Sequence, residues 1–138
     1  MEKITIKTEV KGDINNVWEA WNNPTHIKNW YFASDDWQCT KAVNDFTEGG
    51  RFSYTLSAAD NSESFDFEGT YTNIEPLKLI EFKLDDERLV QVEFKEYDGK
   101  VTIIETFESE EQNPIELQKT GWQAILDNFA KYFDSLSN

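Results

Sequence analysis

From about residue 37 to 107 the chain alternates apolar and polar side chains in run after run, each closed by a turn signal. RFSYTLSA sets Phe52, Tyr54 and Leu56 against polar neighbours, and SFDFEGTYT sets Phe65, Phe67 and Tyr71 on one face. LIEFKL groups Ile80, Phe82 and Leu84, RLVQVEFKEY aligns Val90, Val92 and Phe94, and KVTIIETFE follows. A period of two is that of a strand with one buried face. The separators are short: Asp60-Asn61-Ser62, Pro76, Asp85-Asp86-Glu87 and the hairpin signal Asp98-Gly99. Strands joined by such tight turns pair antiparallel, and their single apolar face needs a cover.

The cover is read at both ends of the chain. Residues 114 to 136 change period, placing Leu117, Trp122, Ile125, Leu126, Phe129 and Phe133 on one helical stripe. Asn113 is the expected cap, with Pro114 in the first turn and Glu116 completing a capping box. At the start, EKITIKTEVK alternates as a strand with Ile4, Ile6, Thr8 and Val10 on one face. Asp13 then caps a helix whose face carries Ile14, Val17, Trp18 and Trp21. Asn22-Asn23-Pro24 ends it, and a short second helix follows with Thr25 as cap and Ile27, Trp30 and Tyr31 as its apolar side. The expected fold class is α+β: a curved antiparallel sheet around a long C-terminal helix, with two short helices after the first strand. One domain spanning 1–138 is expected, without repeats or linkers.

Composition narrows the partners. Thirteen basic residues stand against 27 acidic ones, a formal charge of −14. Such a surface repels phosphate backbones and anionic bilayers, so neither nucleic acid nor membrane is an expected partner. No apolar run approaches the ~20 residues of a membrane span, and none after Glu2-Lys3 reads as a secretory signal. The single cysteine, Cys39, makes no internal disulfide, which fits a reducing cytoplasm. Solvation accounts for the acidic runs at 85–87 and 108–111 without a metal. Ten Phe, five Tyr and five Trp are the opposite signal. Rings bring large apolar area with few rotatable bonds, and they can line a cavity as well as fill a core.

The only histidine, His26, has no second His, and Cys39 lies in a separate element. No Gly-x-Ser-x-Gly elbow occurs either. His26 therefore reads as a packing residue in the stretch NPTHIKNWYFASDDW, whose rings Trp30, Tyr31, Phe32 and Trp37 flank a cavity mouth. Gly49-Gly50 lacks the Gly-Lys-Ser/Thr of a phosphate loop and reads as a turn. Gly121, inside the long helix, implies close packing against the sheet or room for a ligand. Glu105 is the sharpest polar candidate, a weak catalytic one. Strand alternation puts it inward with Val101 and Ile103, but Ile104 has the opposite parity, and an outward, solvated glutamate is the ordinary expectation. Arg51 and Glu68 read as outward-facing.

The words VWEAWNNPTHIKNWYF, EGGRFSY, FEGTYTNIEPLKLIEF and TGWQAILDNFAKY, in this order of elements, resemble the helix-grip fold of the START-like (SRPBCC) superfamily. Within it the chain is similar to small bacterial proteins related to the activator of heat-shock protein 90 ATPase (AHSA1-like). The resemblance spans essentially the whole chain and implies the fold. The superfamily hosts lipid carriers, cyclases, hydrolases and chaperone partners, so it implies no single activity. The expected function is non-catalytic binding of a small hydrophobic ligand between sheet and helix, with no cofactor. Its expected contacts are Trp30, Phe52, Tyr54, Phe67, Tyr71, Phe82, Phe94, Trp122 and Leu126. The alternatives are a chaperone-associated interaction module, and a cyclase- or hydrolase-like enzyme using Glu105.

Overall fold

A computed structural model describes residues 2–136. The elements run β1 (Lys3–Lys11), α1 (Ile14–Asn22), α2 (Pro24–Ile27), β2 (Trp37–Asn44), β3 (Arg51–Ala58), β4 (Ser64–Glu75), β5 (Leu79–Leu84), β6 (Leu89–Tyr97), β7 (Lys100–Glu108) and α3 (Ile115–Leu136). All seven strands form one curled antiparallel sheet in the order β1-β7-β6-β5-β4-β3-β2. β2 to β7 are thus a meander, and β1 closes onto its last strand. The α+β class and the order of helices agree with the sequence reading.

The alternation is realised nearly residue by residue. Along β7, Val101, Ile103, Glu105 and Phe107 are buried while Thr102, Ile104 and Thr106 lie on the other face. Asp98 and Gly99 both take positive φ, 52° and 75°, which gives the β6–β7 turn the twist of its strands. The helices then cover the apolar face. α1 buries Ile14, Val17 and Ala20, and α3 buries Leu126, Phe129 and Phe133. α3 also lies along β1, where the Gln123 amide donates to the Lys7 carbonyl at 3.2 Å.

Several local expectations are corrected. The cap of α2 is Asn23, whose side chain accepts from the Thr25 amide at 2.9 Å, and Pro24 occupies the first turn rather than preceding it. At α3 the helix begins at Ile115, and the Asn113 amide bonds Glu110 at 2.7 Å instead of Glu116. Leu117 is exposed, and the inward position beside it belongs to Gln118. That side chain accepts from the Glu110 amide and donates to the carbonyls of Glu110 and Asn113, so a polar latch fixes the helix start. Phe65 shares the parity of Phe67 but lies half-exposed, edge-on against Trp37. Gly121 meets neither sheet nor neighbour: a Cβ built there finds nothing within 4 Å.

The turn reading of Gly49-Gly50 holds, and the structure adds a reason for both glycines. Gly49 has φ +87°, and a Cβ on Gly50 would stand 2.0 Å from the Asp45 carbonyl oxygen. The loop is bonded to β4 by Gly49 N–H to the Tyr71 carbonyl (2.8 Å) and Tyr71 N–H to the Gly50 carbonyl (2.9 Å). Gly50→Ala is therefore expected to lower unfolding stability by about 2–3 kcal/mol. Gly121→Ala, with open space and a better helix former, is expected to raise it by about 0.5–1 kcal/mol. Urea unfolding of the two variants checks both signs, and a destabilised Gly121→Ala would show that the helix needs the missing side chain.

Candidate functional site

The helices meet the sheet through rings. Trp30 is buried, donates its indole N–H to the Ala20 carbonyl at 3.1 Å, and packs against Trp21 and Phe129 with centroids 4.8 Å away. Tyr31 follows against Tyr54 at 5.0 Å. Phe52 then touches Tyr54, Tyr71 and Phe82 at 5.1, 5.3 and 5.0 Å. Stiff, bulky rings that meet at tilted or edge-on angles leave gaps that aliphatic chains would fill. One such gap is a cavity of about 20 Å³ among these residues. It is large enough for a single water-sized group.

Glu105 points into this space. It is only 5 % exposed, which overturns the outward orientation expected from Ile104. Ile104 instead occupies the sheet's other face, half-buried, where a partly covered apolar side chain is unremarkable. Across the ladder Glu105 is flanked by Ile6 on β1 and Val92 on β6, both buried and apolar. Among the described residues no hydrogen bond or ion pair engages its carboxyl. None of the fully enclosed side-chain nitrogen and oxygen atoms of those residues lacks a partner, so the Glu105 oxygens are ones that reach the cavity. Burial pushes this carboxyl up from 4.5 to about 8. At neutral pH it is mostly protonated.

The nearby hydroxyls are shifted in the same direction. Burial, and secondarily the proximity of Glu105, holds the Tyr31 hydroxyl well above its ordinary range. Burial does the same to Tyr54, and raises Tyr71. Tyr71 is held from behind by the Asn44 amide, which donates to its hydroxyl at 3.3 Å and to the Asn22 carbonyl at 2.8 Å. All three phenols are therefore neutral at pH 7. No lysine, arginine or histidine lines the cavity.

Six of the nine expected contacts come together here: Trp30, Phe52, Tyr54, Phe67, Tyr71 and Phe82. Phe94, Trp122 and Leu126 do not line the space. Phe94 is buried edge-on against Trp18 at 5.1 Å, Trp122 stacks on Phe107 at 3.9 Å, and Leu126 is core. Trp21, Asn22, Tyr31 and Ile80 complete the lining. Trp21 and Ile80 were legible as apolar-face residues and Tyr31 as a ring beside the cavity, but nothing in the sequence marked Asn22. Of the rings read as flanking a mouth, Phe32 and Trp37 lie outside the lining. His26 is elsewhere, its Nδ1 2.6 Å from the Tyr132 hydroxyl in an open groove with Lys11, Glu19 and Phe133. No group of His, Cys, Asp and Glu among the described residues is arranged to hold a metal ion. Arg51 faces outward and makes a two-point ion pair with Asp85, at 2.7 and 2.9 Å.

No curated protein matches the chain. Among solved structures, an AHSA1-like protein from Aeromonas hydrophila is 40% identical with a TM-score of 0.93, over 99% of this chain and 94% of that one. A protein from Cytophaga hutchinsonii is 43% identical with a TM-score of 0.84, over 96% and 92%. A Nitrosomonas europaea protein shares the fold alone, with 13% identity and a TM-score of 0.83 over 98% and 96%. No helix among the described residues is long and apolar enough to cross a membrane. The family model described as activator of Hsp90 ATPase homolog 1-like protein matches residues 11–134, and the chain belongs to that family.

Proposed function

We propose that the protein binds a small, mainly apolar molecule at the Glu105 cavity, with the carboxyl as the polar anchor and the rings as walls. The observation that carries this reading is the unpartnered carboxyl itself. A buried carboxyl with no hydrogen-bond partner contributes nothing to packing that an apolar residue would not supply better. Its cost follows from the shift. A group whose acid form is favoured by folding stabilises the fold less as pH climbs from its unfolded value to its folded one. Between pH 4.5 and about 8 the loss is about 1.4 kcal/mol per pH unit, or about 3 kcal/mol at pH 7. A polar group kept at that expense in a cavity is a common mark of a binding or catalytic site.

The resting cavity is smaller than any drug-sized ligand, so binding requires side chains to move. Trp21, Asn22 and Phe67 are the lining residues that are only half-buried, and entry is assigned to them. Family membership favours a second reading, contact with a chaperone ATPase through the acidic outer surface. Such a contact would weaken steeply with added salt. A carboxyl that titrates near neutrality also suits general acid–base chemistry. Loss of turnover of an identified ligand in Glu105→Gln would move the assignment from binder to enzyme.

Amide-resolved NMR titration with a panel of hydrophobic small molecules tests the ligand reading. Saturable shifts are expected at Trp30, Tyr54, Phe67 and Tyr71, and a panel that leaves all four unmoved would overturn it. The cost of burying Glu105 is tested separately by urea unfolding of Glu105→Gln against wild type. The variant is expected to match wild type near pH 4 and to exceed it by about 3 kcal/mol at pH 7. A difference that does not change with pH would mean that Glu105 titrates normally.

A further inference from the structure

The ligand reading leaves open which kind of polar group the cavity accepts, and the charges around it decide between classes. An amphiphile entering the cavity carries an acid, a neutral hydroxyl or carbonyl, or an amine. An anionic head would meet no basic side chain, since none lines the space, and would lose its hydration there with no counter-charge to replace it. It would also approach a chain of net charge −14 against the long-range field. A cationic head is drawn in by that field and finds two complementary features inside. One is the Glu105 carboxyl, a counter-ion once it gives up its proton, which no hydrogen bond or ion pair engages among the described residues. The other is the ring wall of Trp21, Trp30, Tyr31, Tyr54 and Phe67, whose π-systems attract cations when water is excluded. The cavity of about 20 Å³ also matches a primary ammonium group in size.

We propose that this cavity selects organic cations, a primary ammonium carried on an apolar body, seated between the Glu105 carboxylate and the surrounding rings. The inference rests on the ligand-binding reading above. Seating the ammonium requires Glu105 to release its proton to solvent, so binding and ionisation are coupled. The other titratable groups facing Glu105 are Tyr31 on the turn after α2, Tyr54 on β3 and Tyr71 on β4, all neutral well past this range. β1 and β6 present only Ile6 and Val92. One proton is therefore released per ligand bound below about pH 8, and affinity rises roughly tenfold per pH unit up to that point, then levels.

The test is isothermal titration calorimetry of the whole chain with hexylamine, hexanol and hexanoate, in buffers of different ionisation enthalpy from pH 6 to 9. Hexylamine is expected to bind at least tenfold more tightly than hexanol at pH 8, with proton release, and hexanoate not to bind. Glu105→Gln, which the stability argument expects to fold, should erase the preference for hexylamine and the proton release while still binding hexanol. Equal binding of hexylamine and hexanol, or tighter binding of hexanoate, would overturn the cation assignment and leave the ligand site standing. Failure of all three probes, with the cavity amides unmoved, would overturn the assignment together with the reading it rests on.

Discussion

The concave face of the sheet is apolar from β1 to β3, and a face of that size is stable only when it is kept from water. Everything outside the meander answers this constraint. α3 places Leu126, Phe129 and Phe133 against it, and α1 adds Ile14, Val17 and Ala20. The Gln118 latch and the Gln123–Lys7 bond fix where the long helix starts and how it follows the edge strand. The cover is built of rings more than of aliphatic chains, and Trp122 stacked on Phe107 at 8° is the tightest of these contacts. Rings cover much area at little entropic cost, but their rigid shapes leave residual space where three elements converge.

That space is where Glu105 lies, the one buried carboxyl among the described residues. Its position follows from strand geometry alone: Glu105 alternates with Ile103 and Phe107, so a fold that buries them buries it too. Its neighbours Ile6 and Val92 give it no counter-charge, and the cost appears as a proton held to about pH 8. The side chains that frame it come from the α1 end, the turn after α2, and β3, β4 and β5. No local segment contains the site. The EGG loop reaches it indirectly, because its glycines hold the backbone of Tyr71 while Asn44 holds the Tyr71 hydroxyl. The polar elements around the cavity thus position rings rather than line it, apart from Asn22 and Glu105.

Much of this was legible along the chain. The runs of six of the seven strands, the hairpin at Asp98-Gly99 and the α1 cap at Asp13 follow from alternation and turn chemistry, and so do five lining rings, with Trp30 read from helical spacing. β2 is covered only by the general strand-rich reading from about residue 37. Sequence and structure part where one residue meets two rules. Leu117 fits a helical stripe by hydrophobicity, yet the inner position at that turn goes to Gln118, whose side-chain amide bonds the Glu110 N–H and the Glu110 and Asn113 carbonyls of the loop entering the helix. Phe65 obeys the alternation but lies near the strand's start, where its ring meets Trp37 edge-on and stays half-exposed. Gly121 reads as close packing or as room for a ligand, and the open space beside it excludes the first.

Six of the seven strands, the order of the helices, the apolar face, the acidic exterior and the family are written in the period of nearby residues or in local words. Folding in three dimensions is what turns Glu105 inward, narrows the interior to a space of about 20 Å³, and brings Trp21, Asn22, Tyr31 and Ile80 to it together with Phe52 and Tyr71. Alternation gives the parity of a side chain but not which parity is buried when an apolar residue occupies each. That choice was made by the pairing of β7 between β1 and β6, and by the helix laid across them. Cavity volume is likewise a remainder left by the packing of many rings, and no stretch of chain encodes it.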